Sequence, residues 1–125
     1  MSQRWYTREH EWVDVDGDEA TVGITDFAQH QLGEIVYVDL PEPDDSFSAG
    51  EALAAVESVK TAADVYAPFN LTVTEVNGEL IDAPELLNQN AEGVWLCRVR
   101  IENPGQIAGL LDHEGYSAIL AAAES

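Results

Sequence analysis

Apolar residues in this chain recur with a period of two, in short runs cut off by turn residues. That pattern commits it to a small antiparallel β architecture. The clearest run is 94–101, where Trp95, Cys97, Val99 and Ile101 are expected on one face and Arg98 and Arg100 on the other. Earlier runs read the same way: Trp5-Tyr6-Thr7, Glu11-Trp12-Val13-Asp14-Val15, residues 19–24, 34–40, 52–56, Val65-Tyr66-Ala67 and 71–76. Turn chemistry separates them, with Asp16-Gly17 and Asn77-Gly78 as hairpin signals and Pro41, Pro43 and Pro68 as strand breakers. Polar residues 57–64 are expected at a reversal between two apolar arms.

Helical spacing is confined to short stretches. Thr25 or Asp26 caps a short helix stopped at Gly33, Asp82 and Pro84 open another over Glu85-Leu86-Leu87, and a C-terminal helical region covers about 104–123. Its apolar stripes are Ile107, Leu110 and Leu111, then Tyr116, Ile119 and Leu120. The fold class expected is therefore mostly β, a small barrel or sandwich with short peripheral helices. With 125 residues and no linker or repeat, residues 1–125 are expected to form a single domain.

Charge narrows the function classes. Asp and Glu number 24 against five Lys and Arg, for a net charge of -19. Such a surface repels nucleic acid and anionic lipid, so neither is an expected partner. It suits concentrated salt, because at about 1 M the Debye length falls to roughly 3 Å and carboxylate repulsion is screened. A halophilic source is the expectation. No run of apolar residues is long enough to span a bilayer, and Met1-Ser2-Gln3-Arg4-Trp5 lacks the apolar core of a secretory signal, so a cytoplasmic location is expected. Cys97 is the only cysteine and alternates with apolar neighbours, as a buried structural thiol would.

The basic residues are Arg4, Arg8, Lys60, Arg98 and Arg100, which leaves a single lysine. Lys60 lies between the apolar arms 52–56 and 65–67, at or near the tip of a β-hairpin around 52–67. A catalytic lysine needs a dry pocket that lowers its pKa, and nothing around Lys60 supplies one. An exposed tip suits a lysine that a modifying enzyme must reach, and a long stem suits a carried cofactor.

The run Glu57-Ser58-Val59-Lys60, followed by Asp64, resembles the lipoylation site of the H proteins of the glycine cleavage system. Similar stretches lie on both sides: His10-Glu11-Trp12-Val13, residues 21–25, residues 31–38, Leu40-Pro41, Glu75-Val76-Asn77, Pro84-Glu85-Leu86 and Trp95-Leu96. The resemblance runs from about Trp5 to Leu120. It implies a lipoyl/biotinyl-type flattened β barrel-sandwich that is a carrier and not an enzyme. It implies lipoate covalently attached at Lys60 by a lipoate-attaching enzyme. The arm would accept the aminomethyl group of glycine from a pyridoxal-phosphate glycine decarboxylase and present it to a folate-dependent aminomethyltransferase. Dihydrolipoyl dehydrogenase would then reoxidise it. The resemblance also nominates Glu11, Asp64 and Glu9 as contacts for the loaded, cationic arm, although Glu9 stands where the family often has serine. The other reading leaves each of them an acidic surface residue.

Two departures stand out. Phe69-Asn70-Leu71 replaces a turn at which the family tends to have glycine, and Asn70 is the residue able to take a left-handed conformation there. Residues 88–93 lack the family's Pro-Tyr. Two rival carriers stay open: an H-like protein serving lipoate synthesis or relay, and a biotin carrier, whose lysine is usually flanked by methionines where Val59 and Thr61 stand here. An enzyme would have to draw His10, His30 and His113 together, and they show no metal-ligand spacing.

Overall fold

The computed structural model describes residues 3–124; Met1 and Ser2, part of the N-terminal stretch read above for location, lie outside it, as does Ser125. The chain runs β1 Gln3–Tyr6, β2 Glu11–Asp16, β3 Glu19–Ile24, α1 Asp26–Leu32, β4 Ile35–Asp39 and β5 Ser46–Phe47. It continues through β6 Ala52–Ser58, β7 Ala62–Tyr66, β8 Leu71–Val76, α2 Glu79–Asp82, α3 Leu86–Asn90 and β9 Cys97–Ile101. A 3-10 turn, Pro104–Gly109, leads into α4, His113–Glu124. All strand pairs are antiparallel and fall into two sheets, ordered β1-β2-β3-β9-β8-β5 and β4-β6-β7. The mostly β sandwich with peripheral helices is the architecture the alternation implied.

Alternation explains one core directly. Val13, Val22, Val73, Cys97, Val99 and Ile101 point inward from the large sheet and close over Phe69 and Leu71. A second cluster packs the small sheet, through Ile35, Val38, Val56 and Val65, against Leu32, Leu80, Leu87 and Leu96 beside the short helices. A third joins Tyr6, Trp12 and Tyr116 and docks α4; Tyr6 and Tyr116 stack at 4.6 Å between ring centroids.

The structure differs from the sequence reading at several places. The β2–β3 hairpin turns at Gly17-Asp18, one residue later than Asp16-Gly17; Gly17 takes φ 66°, which suits the first loop position of a hairpin turn, and Asp16 still pairs with Glu19. Asn77-Gly78 is no strand turn but the entry to α2, with Gly78 at its N-cap. Trp95 stands outside the last strand, which begins at Cys97; its backbone C=O accepts from Asn77 Nδ2 at 2.8 Å and its ring lies under the Arg98 guanidinium. Asn70 keeps a negative φ, since among the described non-glycine residues only His10 and Asp44 are positive. Its side chain instead accepts the Ala49 N–H at 2.9 Å, so a hydrogen bond shapes the turn where a left-handed backbone was expected.

Candidate functional site

The polar run 57–64 is mostly strand. β6 continues to Ser58 and β7 begins at Ala62, so the reversal shrinks to Val59, Lys60 and Thr61. Ser58 builds it. Its N–H donates to Thr61 C=O at 2.7 Å, and its hydroxyl donates to that carbonyl while accepting the N–H groups of Lys60 and Thr61 at 3.3 and 3.1 Å. A serine hydroxyl here does the work of a turn's backbone bond. Lys60 is exposed at the tip, as its position between two apolar arms required.

The tip leans on the body at one side. β7 is an edge strand, so support comes across β6 from β4 and from the loop ahead of it. The Val59 N–H donates to Glu34 C=O at 3.0 Å. Gly33 lies under the lysine stem, where an added Cβ would come within 3.4 Å of Lys60 Cε. Sequence reasoning saw Gly33 only as a helix stop; its second role is a contact over a sequence distance that periodicity does not report. Around the lysine, Val59 is 67% exposed, Val36 49% and Tyr37 48%. Exposed apolar side chains beside an accessible lysine make a surface that another protein can cover.

The three nominated carboxylates have different settings. Asp64 is exposed on β7, in the ladder row Asp39–Ala55–Asp64, and lines a shallow groove of about 250 Å³ with Asp39, Leu40, Pro41 and Phe47. Glu9 is exposed in the turn between β1 and β2. Glu11 is only 2% exposed, which removes the surface-residue reading for it. Its carboxylate bridges the two sheets: Oε2 accepts the Tyr66 N–H of edge strand β7 at 2.5 Å, and Oε1 accepts the Thr7 hydroxyl at 2.9 Å. Burial pushes its pKa up to about 7, against the opposing pull of the Tyr66 and Thr7 bonds and with help from Glu9. Glu11 therefore meets β7 two residues beyond Asp64, at the end of the strand away from Lys60. The strand between, from Thr61 to Tyr66, spans about 16 Å at roughly 3.3 Å per residue.

The histidines are dispersed. His10 Nδ1 is bonded to Tyr116 Oη at 2.9 Å, His30 is on α1, and His113 opens α4 near the Tyr6 ring. Among the described residues no group of three or more His, Cys, Asp or Glu could hold a metal ion. Cys97 is fully buried, and burial pushes its thiol up to about 12, so it is inert as a nucleophile. No helix among the described residues is long and apolar enough to cross a membrane.

A lysine held in water at a hairpin tip can be acylated and can carry what is attached to it; it cannot act as a buried Schiff-base amine. Comparison with known proteins finds relatives along nearly the whole chain. A family model described as glycine cleavage H-protein matches residues 4–123. The glycine cleavage system H protein of Alkaliphilus oremlandii is 54% identical over 112 residues, 90% of this chain and 88% of that protein. That of Paramagnetospirillum magneticum is 46% identical over 125 residues, 99% of this chain and 100% of its own length. The crystal structure of a glycine cleavage system H protein from Mycobacterium marinum superposes with a TM-score of 0.87 at 36% identity, covering 95% of this chain and 97% of that one.

Proposed function

The chain belongs to the glycine cleavage H-protein family, and from that premise we propose that lipoate is attached through an amide at Lys60. The protein is the shuttle of the glycine cleavage system, carrying the aminomethyl group of glycine between enzymes. The observation that supports this reading of the site is the single lysine of the sequence standing exposed at the β6–β7 tip. Bound there, lipoate supplies a disulfide–dithiol couple able to hold the aminomethyl unit. The donor enzyme is a pyridoxal-phosphate glycine decarboxylase, the acceptor a folate-dependent aminomethyltransferase, and the reoxidant dihydrolipoyl dehydrogenase. The chain is itself a non-catalytic, single-domain carrier over residues 1–125, working in the cytoplasm of a halophile.

Its own residues have three tasks in this reading. Ser58 and the Glu34 carbonyl hold the tip so that the amine is presented to the attaching enzyme. Val36, Tyr37 and Val59 offer apolar surface to the enzymes that receive the arm. Glu11, Asp64 and Glu9 favour a cationic arm when it folds back along β7. A carboxylate has about four lone-pair sites, so Glu11 can accept an ammonium while keeping Tyr66 and Thr7.

Intact mass of the protein incubated with lipoate, ATP and a lipoate-attaching enzyme tests the attachment. A lipoyl increment absent from Lys60→Arg is expected; a biotin increment from the native host, or none, overturns the reading. Exchange of labelled bicarbonate with glycine carboxyl, measured with glycine decarboxylase, separates this role from lipoate relay. Full exchange by the loaded protein is expected.

A further inference from the structure

We propose that Asn88 is a positioning residue for Lys60, acting through the loop between α1 and β4. The side chain belongs to α3, far along the sequence from both, and its amide is fully engaged. Oδ1 accepts the Ile35 N–H at 2.8 Å, while Nδ2 donates to Gly33 C=O at 2.7 Å and to Gln29 Oε1 at 2.9 Å. The first two bonds grip the backbone on either side of Glu34. The Glu34 carbonyl is the acceptor for Val59 N–H, next to Lys60, and Gly33 lies beside the lysine stem, close enough that a Cβ there would meet Lys60 Cε at 3.4 Å. One amide thus fixes the segment that holds the tip through a hydrogen bond and passes beside the stem.

The leverage comes from topology. Within the tip, the Ser58 bonds fix local shape but not orientation against the body. The outer edge of the hairpin is tied where Tyr66 meets Glu11, at the opposite end of β7. Near Lys60 the restraint comes from the β4 side, through the Ile35–Ser58 ladder pair and the Glu34–Val59 bond, and Asn88 holds the backbone of both. An amide is the side chain that fits: the position needs one acceptor and two donors in a planar fork. An aspartate in its place would keep the acceptor and set a carboxylate oxygen against two carbonyl oxygens; a leucine would leave three buried or half-buried partners unpaired. A preordered tip spares the modifying enzyme the entropy of ordering it, so the benefit belongs in KM.

The proposal rests on Lys60 as the attachment site, and its test separates the two. Amide hydrogen exchange at Val59 is read in Asn88→Asp and Asn88→Leu of the full unmodified chain, with the amides of β8 and β9 as internal reference. Exchange at Val59 should quicken by roughly tenfold or more while the β8–β9 amides hold. Steady-state lipoylation should show KM raised by a similar factor with kcat nearly unchanged. Val59→Pro removes one of the two restraints, so Asn88→Asp should cost lipoylation less in that background than in the wild-type chain, a non-additivity that a merely structural asparagine would not produce. Unchanged Val59 exchange in Asn88→Asp, loosening spread equally through β8 and β9, or additive losses in the double variant would each overturn the proposal. If Asn88→Leu does not fold, Asn88→Asp decides alone. A wild-type chain that takes no lipoyl group would remove the attachment site and leave the Val59 exchange result standing.

Discussion

At the scale of single residues, Glu11 carries the most consequence. A carboxyl with an ordinary value of 4.5 held at about 7 binds its proton more tightly folded than unfolded. Its contribution to stability is therefore full below about 4.5 and is lost as pH rises through 7, a difference of roughly 3 kcal/mol. Glu11→Gln keeps an acceptor for Tyr66 and removes the charge. Its gain in unfolding free energy over wild type should grow from near zero at pH 4.5 to about 3 kcal/mol at pH 8, read from urea titrations. In the loaded protein the same change should shorten the lifetime of the aminomethyl group; an unchanged lifetime would strike Glu11 from the arm contacts. Gly23 is a second residue without slack. It faces Trp12 across the β2–β3 ladder, and an added Cβ would overlap the indole at Cε2 and Cζ2. The indole cannot swing clear, since Nε1 donates to Ala91 C=O at 2.9 Å and Arg4 lies over the ring. Gly23→Ala should cost about 1–3 kcal/mol, measurable by thermal unfolding.

At the scale of elements, the site depends on how one helix ends. Thr25 starts α1 by accepting the Ala28 N–H, and Gly33 stops it with φ 83° and ψ -148°, a region that only glycine enters freely. Because the lysine stem crosses Gly33, the helix stop and the site are one feature. Gly33→Ala should lose about 1–3 kcal/mol of stability through its backbone, and its methyl would stand in van der Waals contact with the Lys60 stem. The check is the lysine Nζ and Cε chemical shifts together with lipoylation rate; a stability loss with unmoved shifts would show the stem contact to be incidental. The hairpin shows why polarity misled the boundary: Glu57, Ala62 and Asp64 face solvent from a sheet, and an exposed strand face and a loop ask for the same residue types.

At the scale of the whole molecule, net charge of -19 dominates. The arginines do little to offset it: Arg4 is committed to Asp14 at 2.7 Å and to Glu92, Arg98 to Glu75, and Arg100 to Glu102. The exposed Arg98 and Arg100 pairs contribute about 0–1 kcal/mol each. Self-repulsion should therefore fall with added salt over a Debye length that shrinks from about 10 Å at 0.1 M to about 3 Å at 1 M. Unfolding midpoints by circular dichroism should climb steadily from low salt to multimolar KCl, with compact structure lost on dialysis to low salt. A flat profile would remove the salt-loving reading.

Alternation of apolar residues determined the β runs, because each strand must present one face to a core, and the lone lysine between two such runs marked the position proposed for attachment. Local signals also narrowed the α1 cap to Thr25 or Asp26 and located Gly33 and the inward face of β9. Tertiary structure decided what depends on partners distant in the chain. Glu11 is nominated by resemblance alone, and its burial becomes legible only where the Tyr66 N–H, 55 residues on, closes over it. Trp95 continues an alternating pattern until Asn77 draws its backbone aside. Asn88 reads as loop polarity until its amide meets Gly33 and Ile35. Periodicity records which side of a strand is dry, whereas a hydrogen bond between segments fifty residues apart leaves no period to read.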